Sequence, residues 1–214
     1  MTDPTPADPV AEPQRPARRR ARVRTLGAGA AVLAALAVGH VVTSAFPVDE
    51  RVAAPFLRPA AVGESVDLRY ARLTVGEPTG STVLDPDVGT LLATPGVWLV
   101  VPLTFEARGE PRTLGFAELV GGDGTTYTVW GGRSSLLTGR AQPGVPRYAT
   151  VRVEAPPEAL PGAHLRIGLS AFDQRRDDVA DVDLGITQAD VEAWAADTTP
   201  VVADAWSDEP PEAP

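Results

Sequence analysis

An all-β fold, an antiparallel β-sandwich preceded by one transmembrane helix, follows from three features of this sequence. Short stretches in which apolar and polar residues alternate recur between Val62 and Thr187, the period of half-buried strands. The 22 Pro and 20 Gly among 214 residues favour turns and short strands over long helices. Ahead of them, Leu26–Phe46 runs for 21 residues without a charge, directly behind six arginines that lie between Arg15 and Arg24.

Residues 1–24 are Pro-rich, polar and basic, the composition of a disordered cytoplasmic tail. Residues 25–46 form the expected transmembrane helix. At about 1.5 Å per residue the uncharged stretch reaches roughly 31 Å, which matches a hydrocarbon core of about 30 Å. The arginines before it put the N-terminus in the cytoplasm and the remainder outside the cell membrane, as a single-pass protein in contact with the lipid bilayer. Small residues at Thr43-Ser44-Ala45 leave a cleaved signal peptide as the rival. The apolar stretch is longer than the usual h-region of about 7–15 residues, which favours an uncleaved anchor. Gly27, Ala31, Ala35 and Gly39 recur every fourth residue, a pattern that lets two helices approach closely and would allow a homodimer through the membrane.

Residues 47–61 are a Pro- and Ala-rich spacer, and residues 62–187 the extracytoplasmic sandwich. In "VDLRYARLTV", Val66, Leu68 and Tyr70 share one parity and Leu73 and Val75 the other, which predicts a β-bulge near Ala71–Arg72. "VWLVVPLTFEA" sets Val97, Leu99, Val101, Leu103 and Phe105 on one face. Pro102 lacks an N–H, so this strand is an edge or is bulged there. "AELVGGDGTTYTVW" reads as a hairpin turning at Gly121–Gly124. "RYATVRVEAP" points Ala149, Val151 and Val153 inward, "HLRIGLSAF" points Leu165, Ile167 and Leu169 inward, and "VDLGI" closes with Val182, Leu184 and Ile186. Weaker strands fall near Thr82–Leu84 and Leu114–Leu119.

The order "VGESVDLRYARLTV", "GVWLVVPLTFEARGEP", "LVGGDGTTYTV", "PGVPRYATVRVEAP", "LRIGLSAF" resembles the DUF4352-type immunoglobulin-like domain of Gram-positive, actinobacterial-type membrane-anchored proteins. The resemblance covers about Val62 to Phe172. It implies an immunoglobulin-like β-sandwich held outside the membrane, and it brings no catalytic residues with it.

Composition narrows the chemistry. With no Cys there is neither a disulfide framework nor a thiolate site, and with no Lys neither a Schiff base nor a Walker A loop. Residues 47–214 hold 13 Arg against 25 acids, a net charge of −12, which excludes nucleic acid as a natural partner. His40 lies in the apolar stretch and His164 on the polar parity of a strand, so neither is placed for catalysis. No cofactor and no catalytic residue is expected. Asp173, Asp177, Asp178, Asp181 and Asp183 crowd "FDQRRDDVADVD" and are the candidate Ca²⁺ ligands, although the spacing is not that of an EF-hand. Residues 188–214 carry seven acids and no base. Thr187 is placed to cap a short helix reaching about Ala196, and the remainder reads as mostly disordered. Trp194 and Trp206 stand in that acidic stretch as candidate partner-binding anchors. The expected role is that of a non-enzymatic protein-interaction or accessory protein of the cell envelope, its partner an unknown envelope protein. The alternatives are a ligand- or Ca²⁺-binding extracellular module and a hydrolase using paired carboxylates.

Overall fold

The computed structural model describes residues 34–41, 55–86, 89–129, 133–170, 178–204 and 206–211. Residues 1–51 and Val52–Pro214 form separate compact units. In the first, residues 34–41 are helical and exposed, Ala35 and Gly39 among them. Gly27, Ala31 and the arginine cluster lie outside the described residues. Among the described residues, no helix is long and apolar enough to cross a membrane.

The second unit is built of two sheets. The smaller sheet has the order β1 (Leu57–Ala61), β11 (Val179–Asp183), β10 (His164–Gly168), β6 (Phe116–Val120) and β7 (Thr126–Thr128). The larger is organised around β5 (Leu92–Ala107), a strand of 16 residues. Along one edge β5 pairs first with β4 (Thr79–Asp85) and then with β3 (Ala71–Val75), and along the other with β9 (Arg147–Ala155). The short strands β2 (Ser65–Asp67), β8 (Ser135–Leu137) and β12 (Val201–Val202) complete it, beside β3, β9 and β4 respectively. Leu73, Leu99, Val101, Phe105, Val151 and Val153 from the larger sheet and Leu119, Leu165, Ile167, Ala180 and Val182 from the smaller share one buried cluster. Two sheets closing face to face on a common core make the unit a β-sandwich.

Alternation decides these faces. In β9 every second residue from Arg147 to Ala155 is buried, and in β10 Leu165 and Ile167 are buried as their parity requires. The expected hairpin forms between β6 and β7: Gly121 N–H donates to the Thr125 carbonyl and Gly124 N–H to that of Gly121, both at 2.8 Å. Pro102 sits inside a central strand. Its carbonyl accepts from Gly76 N–H at 2.8 Å, in the gap where β3 gives way to β4 and the pairing with β5 slips by one residue. The missing proline N–H therefore faces an irregularity already present in the partner strand.

Several expectations are corrected. The phase change at Leu68–Arg72 is a tight hairpin between β2 and β3, closed by Leu68 N–H to the Ala71 carbonyl, and not a bulge in one strand. The sandwich is not wholly antiparallel, because β1 runs parallel to β11 and β12 parallel to β4. Strand β1 lies in the stretch read as a spacer. Pro59 fits there because an edge strand leaves one row of N–H groups unused. The short helix expected behind Thr187 forms as α1 (Gln188–Ala196), but the stretch after it, read as mostly disordered, carries β12.

Candidate functional site

The C-terminal stretch builds the first candidate site. Thr187 and Asp190 form a reciprocal capping box: the Thr187 hydroxyl accepts from Asp190 N–H at 3.3 Å, and the Asp190 carboxylate accepts from Thr187 N–H at 2.9 Å. The same carboxylate also accepts from the Thr187 hydroxyl at 2.6 Å, and this bond first, with that from Thr187 N–H, holds the Asp190 carboxyl below the usual carboxylate range. At the other end of α1 the Asp197 carbonyl accepts from the hydroxyls of Ser81 (3.1 Å) and Thr82 (2.7 Å) on β4. Trp194 thereby packs against the main core. It lies over Gly80, where an added Cβ would come within 2.6 Å of the indole.

Beyond α1 the chain crosses the outer face of the larger sheet as a strap. Val201 and Val202 pair with Leu84 and Asp85. Ala203 then joins Leu84, Trp98 and Val100 in a second, smaller buried cluster. At the far side Ser207 and Tyr148 exchange two backbone hydrogen bonds of 2.8 Å. The strap is clasped there by Arg147, which is 4% exposed. Its guanidinium donates to both carboxylate oxygens of Asp208 (2.6 and 3.1 Å) and to the carbonyls of Thr138 and Arg140 (3.2 and 3.3 Å). Its central carbon lies 3.8 Å from the centre of the Trp206 ring. Paired, hydrogen-bonded and stacked, this arginine meets the conditions under which a buried charge is tolerated.

Between strap and sheet a groove of about 510 Å³ remains. Its floor carries Thr74, Thr104, Tyr148 and Thr150, its middle Val100 and Pro102, and its rim Glu77, Asp204 and Glu209. Among the described residues that line it, the groove has carboxylates and hydroxyls to offer and no cationic side chain.

A second cleft, of about 300 Å³, opens at one end of the sandwich, where the β2–β3 turn and the end of β5 face β6, β10 and the start of β11. Arg69, Tyr70, Arg108, Arg112, Phe116, Leu169 and Val179 line it, together with Asp178. The Asp178 carboxylate is buried and accepts from Arg58 Nε and from the Arg69 backbone N–H, each at 2.7 Å.

No protein-family model matches this chain, and no curated protein matches it. Among solved structures it is similar to an uncharacterized β-sandwich protein from Clostridium difficile 630, with 13% identity, a TM-score of 0.43, and coverage of 61% of this chain and 95% of the other.

The candidate calcium ligands that are described do not converge. Asp178 is bound to arginine, Asp181 accepts from Arg166 Nε at 3.1 Å on the outer face of the smaller sheet, and Asp183 accepts from Gly185 N–H at 2.9 Å. Asp173 and Asp177 lie outside the described residues. Among the described residues, no group of three or more His, Asp or Glu is placed to hold a metal ion. His164 is half-exposed and 3.8 Å from Asp181. The two tryptophans are not side chains of a loose tail: Trp194 packs on the core and Trp206 lies against Arg147. Sequence reasoning missed Arg147, although a signal was there. It continues the inward parity of Ala149, Val151 and Val153, and an arginine on that parity calls for a partner.

Proposed function

We propose that this is a non-enzymatic, membrane-anchored domain displayed outside the cell, and that it docks an extended basic segment of an envelope protein in the strapped groove. One observation carries the reading: the margins of the larger sheet already accept an extended peptide, its own C-terminal strap, through backbone pairing of Val201–Val202 with β4 and of Ser207 with Tyr148 of β9. Charge supports the choice of partner, since Glu77, Asp204 and Glu209 rim a groove with no cation among the described lining residues in a region of net charge −12. The arginines before the uncharged Leu26–Phe46 stretch and the DUF4352-like order of strands support an extracytoplasmic position.

The test is site-specific photocrosslinking in producing cells, with the reactive group at Thr104 on the groove floor or at Thr128 on the far sheet. A discrete adduct through a Lys- or Arg-rich segment is expected from Thr104 and not from Thr128. Identical adducts from both positions would overturn the docking assignment. A domain that added protease cannot reach in wall-stripped cells until the membrane is lysed would overturn the placement.

A further inference from the structure

We propose that the strapped groove is a binding site only while the strap is docked, so that its basic occupant and the clasp around Arg147 stabilise each other. The inference rests on the docking function proposed above and adds its regulation. The sheet supplies the floor of the groove, but one wall is the strap itself: Val202, Asp204, Ser207, Glu209, Pro210 and Pro211 line it. Of the carboxylates on the rim, Glu77 stands on the sheet side, in the connection between β3 and β4, whereas Asp204 and Glu209 are carried by the strap. An undocked strap therefore takes away a wall and both of those acids. An occupant that touches sheet and strap together binds the docked state more tightly than the undocked one. A ligand with that preference shifts the equilibrium toward docking, and docking raises its affinity by the same factor.

The clasp and the groove are joined through neighbouring residues. Arg147 donates to the Asp208 carboxylate, while the next residue on each side, Tyr148 and Glu209, lines the groove. Tyr148 also exchanges two backbone hydrogen bonds with Ser207. Glu209 N–H donates to the Ser207 hydroxyl at 2.9 Å, a local turn between the bridge at Ser207 and the groove. The strap cannot leave Arg147 and Tyr148 and still hold Glu209 in place. Gly139 makes the clasp sensitive to a small change. Its φ is +56°, and an added Cβ would lie 2.5 Å from the Trp206 ring and 2.6 Å from the Arg147 guanidinium, so alanine there is strained and presses the clasp open. The cluster under the strap, Leu84, Trp98, Val100 and Ala203, is small and distinct from the main core. The strap can accordingly open while the sandwich stays folded.

The full-length chain in a non-ionic detergent, in about 0.15 M salt to screen diffuse attraction, is titrated with a blocked hexa-arginine peptide. Hydrogen exchange is followed at the Tyr148 and Ser207 amides, each of which donates across the strap pairing. Trp206→Ala and Gly139→Ala, which open the clasp and leave every rim carboxylate in the chain, should each weaken the peptide by about tenfold or more. Saturating peptide should slow exchange at Tyr148 and Ser207 in the wild-type chain by about tenfold or more, since affinity and docking are reciprocal. Asp204→Asn combined with Glu209→Gln should weaken the peptide severalfold, while Asp183→Asn, which removes an exposed acid of the smaller sheet, should leave it unchanged. If neither clasp variant folds, the exchange measurement on the wild-type chain decides. Equal affinity in the wild type and the clasp variants, or exchange at Tyr148 that peptide leaves unchanged or accelerates, would overturn the linkage and leave the docking function standing. A wild-type chain that does not bind the peptide would overturn both.

Discussion

Replacing Trp206 by Ala should undock the strap. The side chain is 45% exposed, so about half of the ~150–250 Å² that a large aromatic can bury is at stake. Some 100 Å² at about 25 cal/mol per Å² comes to roughly 2.5 kcal/mol, an upper value because the unfolded chain already hides part of that surface. The ring also faces a buried arginine at 3.8 Å, a cation–π contact of about 1–2 kcal/mol. Trp206→Ala should therefore cost about 2–4 kcal/mol. Asp208→Ala should cost a comparable amount, about 2–4 kcal/mol, because it leaves the buried Arg147 guanidinium without its carboxylate, and water entering at the half-exposed Asp208 position recovers only part of that loss. Urea denaturation of the full chain followed by circular dichroism gives the energies. Hydrogen exchange at the Tyr148 amide, which donates to Ser207, reports whether the strap has left. A cost under about 0.5 kcal/mol with Tyr148 still protected would refute the clasp as the element that holds the strap.

Leu103→Ala should cost about 2–5 kcal/mol, because Leu103 is buried in the main cluster, whereas Thr104→Ala on the groove floor should change stability by less than about 1 kcal/mol; equal costs in denaturant would contradict the assigned faces. Gly80→Ala should cost about 1–3 kcal/mol by driving a Cβ into Trp194, read out as a red-shifted and more quenchable tryptophan emission; an unchanged spectrum would argue against that contact. Acid should destabilise the domain. The carboxyls of Asp67, Asp123, Asp190 and Asp197 are held below their ordinary value by hydrogen bonds, chiefly from Arg72, Thr125, Thr187 and Thr199 respectively. The unfolded chain then takes up protons first, so this stability is present above about pH 4 and is lost as pH falls through the folded values. A urea midpoint that rises on acidification would contradict the sign.

The parts of this fold that could be read beforehand are those where one face is buried and the other is wet. Alternation in β9 and β10 names the inward residues because burial there is one-sided. It says little in the middle of β5, where Val97 to Val101 are all buried. Trp98 and Val100 point away from the main core into the cluster capped by Ala203, and no local pattern announces a cover supplied from a hundred residues downstream. The strap was illegible for the same reason. Its acidic, Pro-rich composition cannot fold alone, and it is ordered by contacts with β4 and with Arg147 and Tyr148 on β9. In the end cleft, Arg69 stands far from Arg108 and Arg112 along the chain and joins them only where the β2–β3 turn lies beside the end of β5. The crowded Asp173–Asp183 run pointed elsewhere, because proximity in sequence is a poor guide to convergence in a sheet.

The long strand β5 has a kinetic consequence. Nearly every pairing of the larger sheet is made to it or to a strand beside it, and the last of them in chain order, at Val201 and Ser207, is contributed by residues far downstream of β5. During synthesis from the N-terminus, a nascent domain must therefore wait with Trp98 and Val100 uncovered and the free margin of β4 unsatisfied until those final residues emerge. Closures over such long sequence separations are slow, and an uncovered strand margin in the interim invites pairing with other chains. A ribosome stalled before Val201 should hold a domain that is folded around its main core yet sticky on one face, and a bulky fusion placed close behind Trp206 should prolong that interval in every molecule made.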